Sequence, residues 1–134
     1  MFERFRVYAA LPATVLERAK RFYAEKLGLT PQERADELRY ECGDGSVFFV
    51  FQTSISRRGG HTQAGIGVHD IAAAVAELRS RGVTFEEFDT PELRTVDGIA
   101  TQPGGDRAAW FTDSEGNVLA LVQFSLRDQG EANK

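Results

Sequence analysis

The hydrophobic and polar positions of the chain repeat one order of patterns twice: a β-prone run, apolar positions at helical spacing, and then runs typical of strands. In the first half the β-prone run covers residues 5–10, and the helical spacing covers residues 15–27. Gly28 follows the last apolar position and predicts the end of the helix. Thr14, with Glu17 three residues later, predicts a capping box at its start.

The rest of the first half reads as three strands. Residues 29–35 predict a strand interrupted by Pro31, and residues 37–52 predict a hairpin with a glycine-containing turn. The second strand of this hairpin, residues 47–52, is apolar on both faces, so we expect both faces to be covered.

The second half repeats these elements after a polar stretch. It has a strand at 61–68, a helix capped by Asp70 and ended by Gly82, and a further strand at 83–88. The polar residues 89–106 predict a long loop. Each half therefore predicts a strand, a helix and three strands, and one half alone would leave a sheet face bare.

A closing hairpin completes the second half. Two apolar runs flank the Asp-Ser-Glu-Gly sequence at 113–116, which predicts a type I turn with Gly116 in the left-handed conformation and a one-residue bulge. This geometry would place Asp113 opposite Asn117 and Trp110 beside Ala120.

The length of 134 residues fits one domain with its own core. We expect that domain to cover residues 1–126 and the polar end of the chain to be a flexible tail. Within it we expect module one at about 4–52, a linker at 53–60 and module two at 61–124, and the tail is expected at 127–134.

Composition excludes several classes of function. A net charge of -4 argues against nucleic acid as a partner, because phosphate binding needs a basic face. A single cysteine, Cys42, excludes an internal disulfide and a cysteine-based zinc cluster. No apolar run approaches the roughly 20 residues of a membrane-spanning helix, and the first residues lack the pattern of a signal peptide, so we expect a cytoplasmic protein that does not bind membranes.

Two segments resemble those of a known family. Phe22-Tyr-Ala-Glu-Lys-Leu-Gly-Leu29 resembles the "FYxxxLGF" segment, and Asp113-Ser-Glu-Gly-Asn-Val-Leu-Ala-Leu121 resembles the "DPDGNxxEL" segment, of the vicinal oxygen chelate superfamily. That superfamily contains glyoxalase I, extradiol dioxygenases, fosfomycin-inactivating transferases and bleomycin-resistance binding proteins. The resemblance covers residues 5–124. It implies an α+β fold in which two tandem βαβββ modules form a cup-shaped sheet, mixed and antiparallel, with the helices outside.

The resemblance also assigns the positions that hold a divalent ion in the metal-using branches. Carried onto this sequence they are Tyr8, Phe49, Gln63 and Ala120. Phe and Ala have no donor atom for a metal ion. The resemblance is therefore to a branch without the metal ligands, and we expect no metal and no cofactor.

The same positions indicate which side chains would line the cup, because side chains alternate along a strand. By the internal repeat, Arg39 should lie beside Phe49 in the way that Trp110 lies beside Ala120. An aromatic cleft with few polar groups is typical of a site for a small apolar molecule. The predicted ligand-binding residues are Tyr8, Arg39, Phe49, Phe51, Gln63, Trp110 and Ala120.

Two functions remain open at this point. The first is a metal-independent binding protein, similar to the bleomycin-resistance branch, that holds a planar aromatic or apolar ligand and could sequester an antibiotic. The alternative is a glyoxalase-like lyase or isomerase that acts on a small metabolite, either without metal through Tyr8, Gln63, Arg39 or Glu41, or with a metal bound elsewhere, for example by His61. No catalytic residue is assigned. By the resemblance we expect a homodimer.

Overall fold

A computed structural model gives the fold of this protein and describes residues 1–55 and 60–125. The predicted tail at 127–134 and part of the predicted linker, residues 56–59, lie outside the described residues. In the first module the elements are β1 (Ala9–Ala13), α1 (Leu16–Leu27), β2 (Gln32–Arg34), β3 (Glu37–Glu41) and β4 (Val47–Gln52). In the second they are β5 (Thr62–Gly67), α2 (Ile71–Ser80), β6 (Ala100–Thr101), β7 (Arg107–Thr112) and β8 (Val118–Gln123).

The fold is α+β, as the sequence predicts. The strands of each module form one four-stranded sheet, in the orders β1-β4-β3-β2 and β5-β8-β7-β6. In both sheets the first strand is parallel to the last, and the other neighbours are antiparallel. Two tandem βαβββ modules are thereby confirmed. Within the described part of the chain, no helix has the length and apolar composition needed to cross a membrane.

The chain divides into two compact units. Unit 1 contains the described parts of Met1–Gly59 together with Asp113–Asn117, and unit 2 contains those of Gly60–Thr112 and Val118–Lys134. The turn between β7 and β8 therefore belongs to unit 1, although the two strands that it joins belong to unit 2.

The core of unit 1 lies between α1 and one face of its sheet. Because side chains alternate along a strand, Leu38 and Tyr40 of β3 and Val50 of β4 point to the same side and are almost fully buried. Tyr23 of α1 packs on this layer, with its ring centroid 5.2 Å from that of Tyr40 and 5.6 Å from that of Phe48. These rings hold the helix on one face of the sheet and leave the other face free of it.

The predicted capping box at the start of α1 is wrong. The helix begins one residue later than expected, and Val15, in an extended conformation, is the N-cap residue without a side-chain cap. The carboxylate of Glu115, distant in sequence, accepts a hydrogen bond from the Val15 backbone N–H at 3.3 Å. The backbone N–H of the N-cap residue is thus satisfied by a tertiary contact, and the Thr14 side chain does not cap the helix.

Two strands of unit 1 differ from their predicted bounds. The first strand was expected at residues 5–10 with Pro12 ending it, but β1 extends over Ala9–Ala13 and Pro12 pairs with Phe51. Proline is accepted here because β1 is the edge strand of its sheet and needs no N–H on the outer side. β2 is shorter than the predicted 29–35, since it starts only after Pro31.

In unit 2, α2 covers one face of its sheet. Asp70 is the N-cap as predicted, and its Oδ1 accepts a hydrogen bond from the Ala73 backbone N–H at 3.1 Å. Gly82, with φ of 89°, lies directly after the helix end. On the helix-facing side of the sheet, Phe111 is fully buried and contacts Phe85 at a centroid distance of 5.6 Å.

The predicted strand at 83–88 is wrong, and so is the prediction that residues 89–106 form only loop. The third strand of this sheet is β6, Ala100–Thr101, which pairs with the first part of β7. The segment 83–88 donates a backbone hydrogen bond to β7, from the Glu86 N–H to the Trp110 carbonyl at 2.8 Å. Val83 and Phe85 are buried, so burial alternates along this segment as it does along a strand, but the segment does not form the regular backbone pairing of a strand.

The closing hairpin has the predicted geometry. Gly116 has a φ of 87°, and its N–H donates to the Asp113 carbonyl at 3.2 Å. The Asp113 N–H donates to the Asn117 carbonyl at 2.9 Å, which closes the turn with the expected pairing.

Candidate functional site

The sheet face of unit 1 that points away from α1 carries four of the seven predicted site residues. Cross-strand pairing puts Arg39 directly opposite Phe49, as predicted, and Glu37 opposite Phe51. β2 extends this surface, because Arg34 pairs with Glu37. Tyr8 precedes β1 and touches Phe49. We call this surface the open face of unit 1, and its members include Tyr8, Gln32, Arg34, Glu37, Arg39, Glu41, Val47, Phe49 and Phe51.

Phe49 lies at the centre of the open face and is only half-buried. The Tyr8 ring meets it edge-on at a centroid distance of 5.1 Å. The Arg34 guanidinium carbon lies 5.8 Å from the Phe49 centroid, within the range of a cation–π contact. Tyr8 itself is 62% exposed, so the two rings present aromatic surface to solvent rather than forming part of the core.

The charged side chains of the open face are held loosely. Arg34 and Glu37 approach to 3.5 Å, and Arg39 and Glu41 to 3.9 Å. Both separations exceed those of a good charge-assisted hydrogen bond. An arginine carries five N–H donors, so both guanidinium groups keep capacity for another acceptor.

Arg34 is a member of the open face that the sequence did not predict. Its position follows from the register of the β2–β3 hairpin, which pairs Arg34 with Glu37. The sequence does not show that the Arg34 side chain reaches Phe49, because the register alone places this residue opposite Glu37.

In unit 2, Trp110 and Ala120 lie side by side, as predicted, on neighbouring strands. The Trp110 indole N–H donates to the Thr62 hydroxyl at 3.1 Å, and Phe88 meets the indole ring edge-on at 5.5 Å. Trp110 is half-buried, whereas Ala120 is 4% exposed. The indole is therefore a partly accessible aromatic surface whose orientation is fixed by a hydrogen bond and a ring contact.

Gln63 occupies an irregular position in β5. The register between β5 and β8 shifts between Thr62 and Ala64, so that Gln63 is the extra residue of a bulge. Its side-chain Oε1 accepts a hydrogen bond from the Val118 backbone N–H at 3.1 Å. The amide thus satisfies a ladder N–H that the bulge would otherwise leave without an acceptor.

The positions that the resemblance assigns to metal ligands do not fit a metal ion. Phe49 and Ala120 have no donor atom, and the Gln63 amide oxygen is already used by Val118. Across residues 1–55 and 60–125, no group of three or more His, Cys, Asp or Glu side chains could hold a metal ion.

A buried polar network joins α1 to the 113–117 turn, and no pattern in the sequence predicted it. The Tyr23 hydroxyl donates to Asp113 Oδ2 at 2.7 Å, and the Asn117 amide donates to the same oxygen at 2.9 Å. Burial, and then the adjacent Asp113 carboxylate, raise the pKa of Tyr23 well above its usual range. The hydroxyl therefore stays a donor and serves the fold.

Glu115 forms the other half of this network. Arg18 donates two hydrogen bonds to its carboxylate, at 2.6 and 2.9 Å, and Ser114 donates a third at 2.9 Å. The hydrogen bond from Arg18 is the main cause that holds the pKa of Glu115 below its usual range. Since these groups are engaged with one another, the network stabilises unit 1 and offers no free catalytic group.

Comparison with known proteins places this geometry in context. A family model described as Glyoxalase/Bleomycin resistance protein/Dioxygenase superfamily matches residues 6–121. Among curated proteins, none matches the sequence.

Solved structures share the fold over nearly the whole chain. A glyoxalase/bleomycin resistance protein/dioxygenase from Alicyclobacillus acidocaldarius is 18% identical, with a TM-score of 0.70 over 96% of this chain and 98% of that chain. A lactoylglutathione lyase from Agrobacterium tumefaciens is 18% identical, with a TM-score of 0.63 over 88% and 92%. TnmS3, an antibiotic binding protein from Streptomyces sp. CB03234, is 25% identical, with a TM-score of 0.60 over 88% and 93%.

Proposed function

The chain belongs to the Glyoxalase/Bleomycin resistance protein/Dioxygenase superfamily, and on that premise we propose that it is a small-molecule-binding protein that works without a metal ion and holds a planar aromatic or apolar ligand. The observation that carries the proposal is the half-exposed aromatic surface around Phe49, at a position where metal-using members would need a ligand atom. The proposed contacts in unit 1 are Tyr8, Arg39, Phe49 and Phe51, and those in unit 2 are Gln63, Trp110 and Ala120.

The physical basis is the stacking and burial of aromatic surface. Aromatic pairs contribute about 0.5–1.5 kcal/mol beyond the area that they bury. Exposed rings such as Tyr8 and half-buried rings such as Phe49 are unfavourable in water, and a flat apolar ligand would cover them. In unit 1, Arg39 would supply a polar contact that orients such a ligand.

The biological role that we propose is sequestration of an antibiotic or similar natural product in the cytoplasm. The description of TnmS3 as an antibiotic binding protein supports this role for a chain of the same fold. The lyase or isomerase reading remains the alternative. The likeness to a lactoylglutathione lyase concerns the fold, and no described residue of this chain favours that chemistry.

Trp110 provides the test, since it is the only tryptophan of the chain. Purified protein is titrated with a broad panel of planar aromatic natural products while its fluorescence is followed. We expect saturable quenching or a spectral shift with at least one compound class. If no compound of the panel changes the fluorescence and calorimetry detects no heat of binding, the proposal is refuted.

A variant pair checks the role of the open face. Phe49→Leu should weaken binding of a compound found in the panel by about fivefold, because it removes one aromatic contact. Phe2→Leu changes a ring that is 73% exposed and lies outside the open face, so this variant should bind the compound with the same affinity as the unchanged protein. Equal affinities of all three proteins would remove Phe49 from the proposed site.

We also propose a homodimer, on the basis of the family resemblance. Sedimentation equilibrium measures the mass directly. A single species with the mass of one chain at micromolar concentration would contradict this part of the proposal.

A further inference from the structure

We propose that the open face of unit 1 selects aromatic ligands that carry a negative charge, an arenecarboxylate or a phenolate, with the anionic oxygens bound by Arg34 and Arg39. The aromatic part of the ligand would pack against Tyr8 and Phe49. This inference rests on the proposed ligand-binding function and adds the chemical class of the ligand.

Two arginine residues lie near one aromatic residue. Arg39 lies directly opposite Phe49 in the β3–β4 register. Arg34 belongs to the next row of the sheet, opposite Glu37, yet its guanidinium carbon lies 5.8 Å from the Phe49 centroid. A ligand whose ring reaches Phe49 would thus bring a substituent close to two positive charges.

Both arginines can accept a new partner. Their contacts with Glu37 and Glu41, at 3.5 and 3.9 Å, meet the distance of an ion pair and are too long for strong hydrogen bonds. Because the glutamate of each pair is at least a third exposed, these ion pairs contribute little to stability. A carboxylate presented by the ligand could therefore form bidentate hydrogen bonds with a guanidinium at little cost to the fold.

The difference in exposure within the face favours an anion over a cation. The Arg39 side chain is 26% exposed, compared with 66% for its partner Glu41. In the other pair the order is reversed, with the Arg34 side chain 49% and the Glu37 side chain 36% exposed, so the argument rests on Arg39. The charge most withdrawn from water is therefore positive, and interactions with it are screened less than those with the glutamates.

Three matched probes test the charge preference: 2-naphthoate, 2-naphthamide and 2-naphthylmethylammonium. Their affinities are measured by calorimetry on the full chain at low ionic strength. We expect 2-naphthoate to bind about tenfold or more tightly than the neutral amide, as a charged hydrogen bond predicts, and the ammonium compound to bind most weakly. This preference should shrink as salt is added.

Variants locate the effect. Arg39→Gln and Arg34→Gln should each reduce the preference for 2-naphthoate over 2-naphthamide, while Arg94→Gln should leave it unchanged. Arg94 is the matched control, because it is exposed and forms a similar 3.5 Å ion pair with Asp89 in unit 2. Glu41→Gln removes the competing carboxylate and should strengthen binding of 2-naphthoate. This variant still tests the role of Arg39 if Arg39→Gln fails to fold.

The outcomes separate this inference from the function on which it rests. Equal binding of the three probes, or preference for the ammonium compound, would overturn the charge selection and leave ligand binding intact. A preference for 2-naphthoate that survives in both arginine variants would overturn the assignment of the anion to Arg34 and Arg39. If none of the probes binds while compounds of the broader panel do, the charge selection alone is refuted, and if nothing binds at all, both proposals fail.

Discussion

At the scale of single residues, two buried tyrosines of unit 1 differ in what their hydroxyl groups contact. Both rings belong to the layer between α1 and its sheet, and both are almost completely buried. The Tyr23 hydroxyl donates to Asp113 at 2.7 Å, whereas the Tyr40 hydroxyl has no hydrogen-bond partner among the described residues. Burial raises the pKa of Tyr40, which keeps that hydroxyl protonated.

Replacing each tyrosine with phenylalanine should therefore have opposite consequences. Tyr23→Phe should lower the free energy of unfolding by about 1–2 kcal/mol, because the buried Asp113 carboxylate loses a donor. Tyr40→Phe should be neutral or stabilising, since it removes a buried polar atom that gains nothing in return. Urea denaturation of both variants measures the difference, and a larger loss for Tyr40→Phe than for Tyr23→Phe would contradict the network.

Glu115 makes the stability of unit 1 depend on pH. Its pKa is lowered from the ordinary value of 4.5 in the folded protein, chiefly by the hydrogen bond from Arg18. Because the folded pKa is the lower one, the stabilising contribution is fully present above the unfolded pKa and is lost as the pH falls through the folded pKa.

The Glu115→Gln variant should have a lower free energy of unfolding than the unchanged protein. This difference should stay constant between about pH 5 and 8 and become smaller at lower pH. Denaturant titrations across this range measure the gap. Glu92→Gln, at an exposed position in unit 2, is the control and should show no gap. A gap for Glu115→Gln that widens on acidification would contradict the assigned direction of the pKa shift.

At the scale of elements, the two helices begin in different ways. Asp70 caps α2 through its own side chain, while α1 begins at Val15, whose N–H is satisfied by Glu115. Asp70→Ala should cost about 1 kcal/mol, and Thr14→Ala should cost almost nothing, because the Thr14 side chain caps no helix. Thermal unfolding of the two variants tests this, and equal losses would show that Thr14 does act as a cap.

The elements that were predicted well are those specified by local chemistry. The closing hairpin is determined by the residues of its turn, among them Gly116 in the left-handed conformation, and α2 by the side chain of Asp70. The predictions that were wrong concern elements whose pairing depends on a segment distant in sequence. Residues 83–88 have the burial pattern of a strand, but Ala100–Thr101 takes the place on β7.

The same division holds for the candidate site. Arg39 beside Phe49 and Trp110 beside Ala120 follow from turn geometry and strand alternation, which a sequence reveals. Arg34 was missed because its closeness to Phe49 depends on how a long side chain leans across two strands. Whether the seven predicted residues bind a ligand stays a prediction.

At the scale of the whole molecule, the lack of donor atoms at Phe49 and Ala120 predicts that divalent ions do not stabilise the folded protein. A ligand that binds only the folded state at a hundred times its dissociation constant stabilises it by about 2.7 kcal/mol. Nickel, zinc, manganese and iron(II), each added in excess, should produce no such rise in the melting temperature. A stoichiometric metal found by elemental analysis after dialysis, together with a raised melting temperature, would favour the lyase or isomerase alternative.

The 113–117 turn has a consequence for the order in which this chain can fold. Its contacts with the first module span 90 residues between Tyr23 and Asp113, 100 between Val15 and Glu115, and 105 between Pro12 and Asn117. Closing such long loops is entropically costly and slows folding. During synthesis, α1 would emerge from the ribosome long before its capping carboxylate exists. The first module should therefore wait, incompletely ordered, until almost the entire second module has been translated.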